Sequence, residues 1–166
     1  MKSDRNLVIN DGSRALLAFF CLMAVSAPGI CDVVINEIEL SAPNNESVWV
    51  EIYNTGMDPV DLTGWTVEIE DEAWKGTIPL SGIIDPLGFK VAEGLDTWVT
   101  TGNGTVSLYN AQGEVADRAS HQIDQSKNYF TYGRIPDGKR TGTRADWALL
   151  RASRGMSNGK EVQDRG

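Results

Sequence analysis

An all-β protein, its strands antiparallel and packed as a two-layer sandwich, is the fold class this sequence predicts, on three observations. Between Glu46 and Val67, Val48, Val50 and Ile52 alternate with Trp49, Glu51 and Tyr53, the period-two pattern of a half-buried strand. Short apolar segments of this kind recur along the chain, each ended by Gly, Pro, Asn or Asp. Those residues supply positive φ, remove a ladder donor or bond their own backbone. No apolar stripe of helical period runs for about twelve residues, so nothing competes with a sheet reading.

The elements follow in order. Val33–Leu40 reads as the first strand, and Ser41-Ala42-Pro43-Asn44-Asn45 turns it into Val48–Tyr53. Asn54-Thr55-Gly56 and Asp58-Pro59 break the ladder, after which Val60 and Leu62 return to the interior. Gly64 opens the strand Trp65–Glu70, in which Trp65, Val67 and Ile69 share the core face. Residues 71–76, D-E-A-W-K-G, read as an acidic loop before a short strand at Thr77–Leu80. Ile83-Ile84 and the turn Asp85-Pro86-Leu87-Gly88 feed Phe89–Ala92. Asn103-Gly104 precede Thr105–Tyr109, and Asn110-Ala111-Gln112-Gly113 closes a hairpin into Glu114–Ala116. Tyr132-Gly133-Arg134, the turn Ile135-Pro136-Asp137-Gly138, a last strand Trp147–Leu150 and a polar tail over residues 157–166 complete the chain.

Residues 1–31 are set apart as an export leader. Lys2, Arg5 and Arg14 precede the apolar run A-L-L-A-F-F-C-L-M-A-V, and small residues follow at Ser26 and Ala27, the layout of a signal peptide. Cleavage is expected near residue 26 or residue 31. The run is shorter than the roughly 20 apolar residues of a membrane span, so an uncleaved anchor is the weaker reading. Lipidation of Cys31 is disfavoured by the bulk of Ile30 before it. The mature part, 32–156, is then one domain outside the cytoplasmic membrane, secreted or held at the cell surface, with no integral span. With 41% hydrophobic residues it can fill a core without staples.

Both cysteines, Cys21 and Cys31, belong to the leader or its border. Zinc–thiolate, iron–sulfur and cysteine-nucleophile chemistry are therefore excluded, and no cofactor is expected. His121 is the single histidine. It cannot form a multi-histidine metal site, and neighbouring Ser120 would point to the opposite strand face, away from it. Glu68 and Glu70 share a strand face, with Asp71 and Glu72 next to them. That spacing allows a carboxylate pair or a weak calcium site, but the pattern matches no calcium loop and reads more simply as a solvated face.

Charge is unevenly distributed over a formal net of −8. Residues 32–124 hold 17 acidic and 3 basic side chains, whereas residues 125–166 hold 4 and 9. Either the basic third lies against the acidic body, or it forms a cationic surface for an anionic partner, centred on Arg134, Lys139, Arg140 and Arg144. Among the tryptophans, Trp65 and Trp147 lie in strand patterns and Trp98 is placed as an apolar plug. Trp49, opposite in phase to Val48 and Val50, and Trp74, in the expected loop, are the candidates for exposed, sugar-stacking aromatics. Asn45 and Asn103 head Asn-x-Ser/Thr sequons in expected turns, where a glycan would fit.

Five pieces in order carry a family resemblance. V-V-I-N-E-I at Val33–Ile38 and the string Glu46–Val67 resemble the signature of the lamin tail domain family. G-T-V-S-L-Y-N-A-Q-G-E-V-A-D at Gly104–Asp117 is similar to its central hairpin, and Y-G-R-I-P-D-G at Tyr132–Gly138 to its late turn. Trp147 with Arg154-Gly155-Met156-Ser157-Asn158 resembles the closing segment, with Arg154 where the family usually carries proline. The resemblance implies an immunoglobulin-like β-sandwich. It also implies a non-catalytic interaction or structural module, since such domains bind proteins and DNA in lamins and accompany exported hydrolases in prokaryotes. A protein or cell-surface ligand is the expected partner. Nucleic-acid binding through the basic third is a rival that the net acidity opposes, and a small secreted hydrolase is a further one.

Overall fold

The computed structural model describes residues 32–72, 74–119 and 121–159. The expected leader, with its two cysteines, and residues 160–166 of the expected tail lie outside the described residues, as does Ser120. Among the described residues twelve strands follow one another: β1 (Val33–Glu39), β2 (Trp49–Asn54), β3 (Val60–Asp61), β4 (Thr66–Asp71), β5 (Trp74–Pro79) and β6 (Ile83–Ile84). Then come β7 (Phe89–Glu93), β8 (Asn103–Tyr109), β9 (Val115–Arg118), β10 (Gln122–Ile123), β11 (Phe130–Arg134) and β12 (Trp147–Arg151).

One sheet runs β12-β11-β1-β2-β7, and the other runs β10-β8-β4-β5 with β9 also paired to β8. β3 and β6 make a small separate ribbon. Every pairing is antiparallel. The inner faces meet in a single apolar cluster: Ile35, Ile38, Val50 and Ile52 from one sheet, Val67, Ile69, Val106 and Leu108 from the other, all fully buried. Leu62 and Trp65 close it at the turn between β3 and β4, as the alternation predicts.

Strict alternation would not place both Ile35 and Ile38 inward, three positions apart. A β-bulge between Ile35 and Glu37 resets the phase, and Asn36 is the extra residue. Glu37 and Glu39 are thereby turned to the outer face of the sheet, beside Glu51 and Trp49 of β2. That outer face is not open to water. The chain after β12 folds back across it, and Glu37, Glu39, Trp49 and Glu51 are all buried.

The back-folded segment is held by side chains. Ser153 N and Oγ donate to the Glu37 carboxylate, both at 2.9 Å. Gly155 N donates to Glu51 Oε2 at 2.6 Å, and Asn158 Nδ2 donates to Asn36 O and Arg134 O. Ser157 and Asn158, expected to open a polar tail, are thus bonded into the domain.

Other expectations shift by a few residues. Of the loop predicted over 71–76, Asp71 ends β4 and residues 74–76 open β5, where Trp74 pairs with Asp71 and packs on Trp98 with ring centroids 5.1 Å apart. Asn103 opens β8 instead of preceding it. β9 runs on to Arg118, and the two-residue β10, which no alternation announces, pairs with β8 at Gly104 and Asn103.

Candidate functional site

Asp117 gathers groups from three distant parts of the chain. β9 carries its carboxylate under the bulge, where Oδ2 accepts from Ile35 N at 2.9 Å and from Arg134 Nη2 at 2.9 Å. Arg140 Nε lies 3.3 Å from Oδ1, and Arg140 Nη2 donates to Ala116 O at 2.7 Å. Arg134, at the end of β11, is 2% exposed; its Nη1 donates to Lys139 O, and its guanidinium stacks 4.8 Å from the Trp147 ring. Burial pulls the Arg134 guanidinium below its ordinary value, and Asp117 pushes it back up.

Beside this pair the loop 141–146 closes on itself. The 3-10 turn Arg144–Asp146 is capped reciprocally by Thr143 and Asp146. The Asp146 carboxylate accepts from Thr141 N, Thr141 Oγ1 and Gly142 N at 2.5–2.9 Å. Burial raises its pKa, but these bonds outweigh burial and hold it below the usual carboxylate range. The result is a groove of about 300 Å³ lined by Arg118, Arg134, Arg140, Thr143, Asp146 and Trp147.

The groove brings together part of the expected cationic surface. Arg140 is half-exposed on its wall, Arg144 is exposed on the adjoining turn, and half-buried Lys139 donates from Nζ to Ala145 O at 2.5 Å. Arg134 is a correction. It was expected at the centre of an exposed patch, but the ion pair with Asp117 and the Trp147 ring draw it inside. The basic third does lie against the acidic body here, through Asp117.

The exposed-aromatic candidates are corrected too. Trp49 is 4% exposed, because the back-folded segment covers its strand and Arg154 sits 5.6 Å over its ring. Trp74 is half-buried against Trp98 and donates from Nε1 to Val99 O at 2.8 Å, so it lies on the sheet and not in a loop. Asn45 is exposed in a turn at φ 59°. Asn103 is half-buried in β8, with Oδ1 enclosed and Nδ2, the atom a glycan would take, on the exposed side 3.5 Å from Glu72 Oε1.

Glu68 is bonded by Lys75 at 2.8 Å and by the Tyr109 hydroxyl at 3.2 Å, while Glu70 faces water. Among the described residues no three His, Cys, Asp or Glu side chains converge as a metal site. His121 is exposed.

Sequence reasoning missed the polar groups that matter most to this architecture: Asn36, Glu37, Glu51, Asp117, Asp137 and Asn158. Asn36 Nδ2 donates to Glu51 Oε1 and Asp137 Oδ1, its Oδ1 accepts from Gly138 N, and Asp137 Oδ1 accepts from Asn158 N. The signal was present, since Asn36, Asp117, Arg134, Asp137 and Asn158 all fall inside the five resembling pieces.

A family model described as Lamin Tail Domain matches residues 26–123, more than half of the chain. No curated protein matches it.

Proposed function

We infer what this chain does from the family to which it belongs, the lamin tail domains: it is a non-catalytic interaction module. In this reading residues 1–31 direct export, and the immunoglobulin-like domain is displayed outside the cytoplasmic membrane. There it captures or tethers a protein or cell-surface ligand of acidic character. One observation carries the reading. The charged groups of the groove are already engaged with each other, Asp117 by Arg134, Arg140 and a backbone N–H, Asp146 by its own loop. Groups held in this way shape a surface and are not poised to move a proton.

Burial of Arg134 weakens the nucleic-acid reading. It leaves Lys139, Arg140 and Arg144 for phosphate contact, one of them shared with Asp117, on a chain of net −8.

The test is capture from the surface fraction of the source cells by cross-linking to the mature chain. We expect retention to be lost when Lys139, Arg140 and Arg144 are all changed to glutamate. Unchanged retention in that triple variant overturns the groove as the site. Turnover of phosphodiester, ester or glycoside substrates by the purified chain overturns the non-catalytic reading.

A further inference from the structure

Among the described residues four edges border the two sheets, and three carry features that discourage another strand from pairing. β7 presents Lys90 and Glu93, β5 presents Lys75 and ends at Pro79, and the far side of the second sheet ends in the short β9 and β10. β12 is different. Its five residues, Trp147-Ala148-Leu149-Leu150-Arg151, hold one charge at the very end and pair on one side with β11.

Just past the last registered pair, Ala152 N donates to Tyr129 O at 2.8 Å. That bond sets the phase of the ladder. Leu150 and Ala148 turn their main-chain groups to β11, whereas Leu149 and Arg151 turn their N–H and C=O to the open side. Leu149 is 60% exposed. Tyr132 is registered opposite Leu149 and Phe130 opposite Arg151, so exposed Phe130 continues the apolar row on that face. The Tyr132 hydroxyl donates to Ile123 O at 2.9 Å and brings the exposed Ile123 to its end.

We propose that β12 is a strand-addition site for an extended partner segment that alternates apolar and acidic residues. The open main-chain groups of Leu149 and Arg151 supply the ladder, and the apolar row takes alternate side chains. The charges exposed at the two ends of this edge are Arg144 and Arg151, both cationic, which selects an acidic segment. A second copy of this chain, paired antiparallel about Leu149, would set Arg154 opposite Arg144 at each end, like charge against like. The inference rests on the interaction-module reading but uses a different surface from the groove.

The mature chain is titrated with a short peptide of alternating valine and glutamate, and separately with its valine–lysine counterpart, with amide hydrogen exchange read residue by residue. The glutamate peptide is expected to slow exchange at Leu149 and Arg151 and to bind about tenfold or more tighter than the lysine peptide. Leu149→Pro, which removes an outward N–H, and Leu149→Glu, which keeps the N–H but replaces the exposed apolar side chain with a charge that repels the glutamate peptide, each weaken it by about tenfold. Lys90→Ala on the opposite edge leaves binding unchanged.

Equal binding of both peptides, no binding, or protection away from β12 overturns the proposal. So does protection of β12 without peptide in a concentration-dependent dimer. If peptide binding fails while groove-dependent capture persists, this inference falls alone. If capture fails while the peptide binds, the groove reading falls alone.

Discussion

Asp117 joins the bulged first strand, the end of β11 and the loop that follows it, and it does so as a buried carboxylate beside a buried guanidinium. Removing one partner of such a pair leaves the other charge uncompensated. Asp117→Ala is therefore expected to lower unfolding free energy by about 3–5 kcal/mol in urea titration, and Arg134→Met added to it to restore part of the loss. The outer-face glutamates respond to pH in a set direction. Burial pushes the Glu39 carboxyl up to about 8 and Glu51 up to about 7, and raises Glu37 as well. In the unfolded chain these groups titrate near the ordinary value of about 4.3. A folded pKa above the unfolded one gives stability that is complete below the unfolded value and lost as pH rises through the folded value. The thermal midpoint is accordingly expected to fall as pH rises from about 4 to about 8 and to level off above that, and Glu39→Gln to flatten that fall. A midpoint that rises over this range refutes the assignment. At this scale the sequence is least legible: nothing in the alternation of W-V-E-I-Y marks Glu51 as buried, because what covers it lies about a hundred residues later.

Among the elements, β2 shows why. It is flanked by β1 and β7, faces the core with Val50 and Ile52, and has its other face sealed by residues after β12. Asn158 is the pin of that seal, donating to two backbone carbonyls, with its Oδ1 2.6 Å from Ser153 Oγ. Asn158→Ala should cost about 2 kcal/mol through unsatisfied buried acceptors. Ending the chain after Arg151 should uncover Trp49, seen as a red-shifted emission component that Trp49→Phe abolishes. β5 makes a second case. Asp-Glu-Ala-Trp-Lys-Gly has the composition of a loop, yet β4 templates it as a strand, and Gly76 is the device that lets it pass. A Cβ there would stand 2.4 Å from the Trp74 ring and 2.6 Å from Trp98. Gly76→Ala should therefore destabilise by about 1–3 kcal/mol, as overpacking does, with a matching loss of near-ultraviolet tryptophan ellipticity. The strands that alternate cleanly and face the core, β2, β4 and β8, were visible in the sequence to within a residue or two. Short pairings such as β10 were not, since two residues hold no period.

For the whole molecule, one apolar cluster shared by both sheets implies one cooperative unit. Far-ultraviolet ellipticity and tryptophan emission should follow the same denaturation curve, and separated midpoints would contradict a single core. By itself the sequence determined the class of fold and its family, because alternation and turn residues are local properties whose order survives without coordinates. It also foresaw that the basic third would meet the acidic body, one of the two outcomes left open. Which charges meet, and which tryptophans reach water, was decided only in the tertiary structure. Those outcomes depend on the bulge at Asn36 and on the return of residues 153–158 over β2. Both bring together groups far apart in the chain, and no periodicity in the sequence encodes such distances.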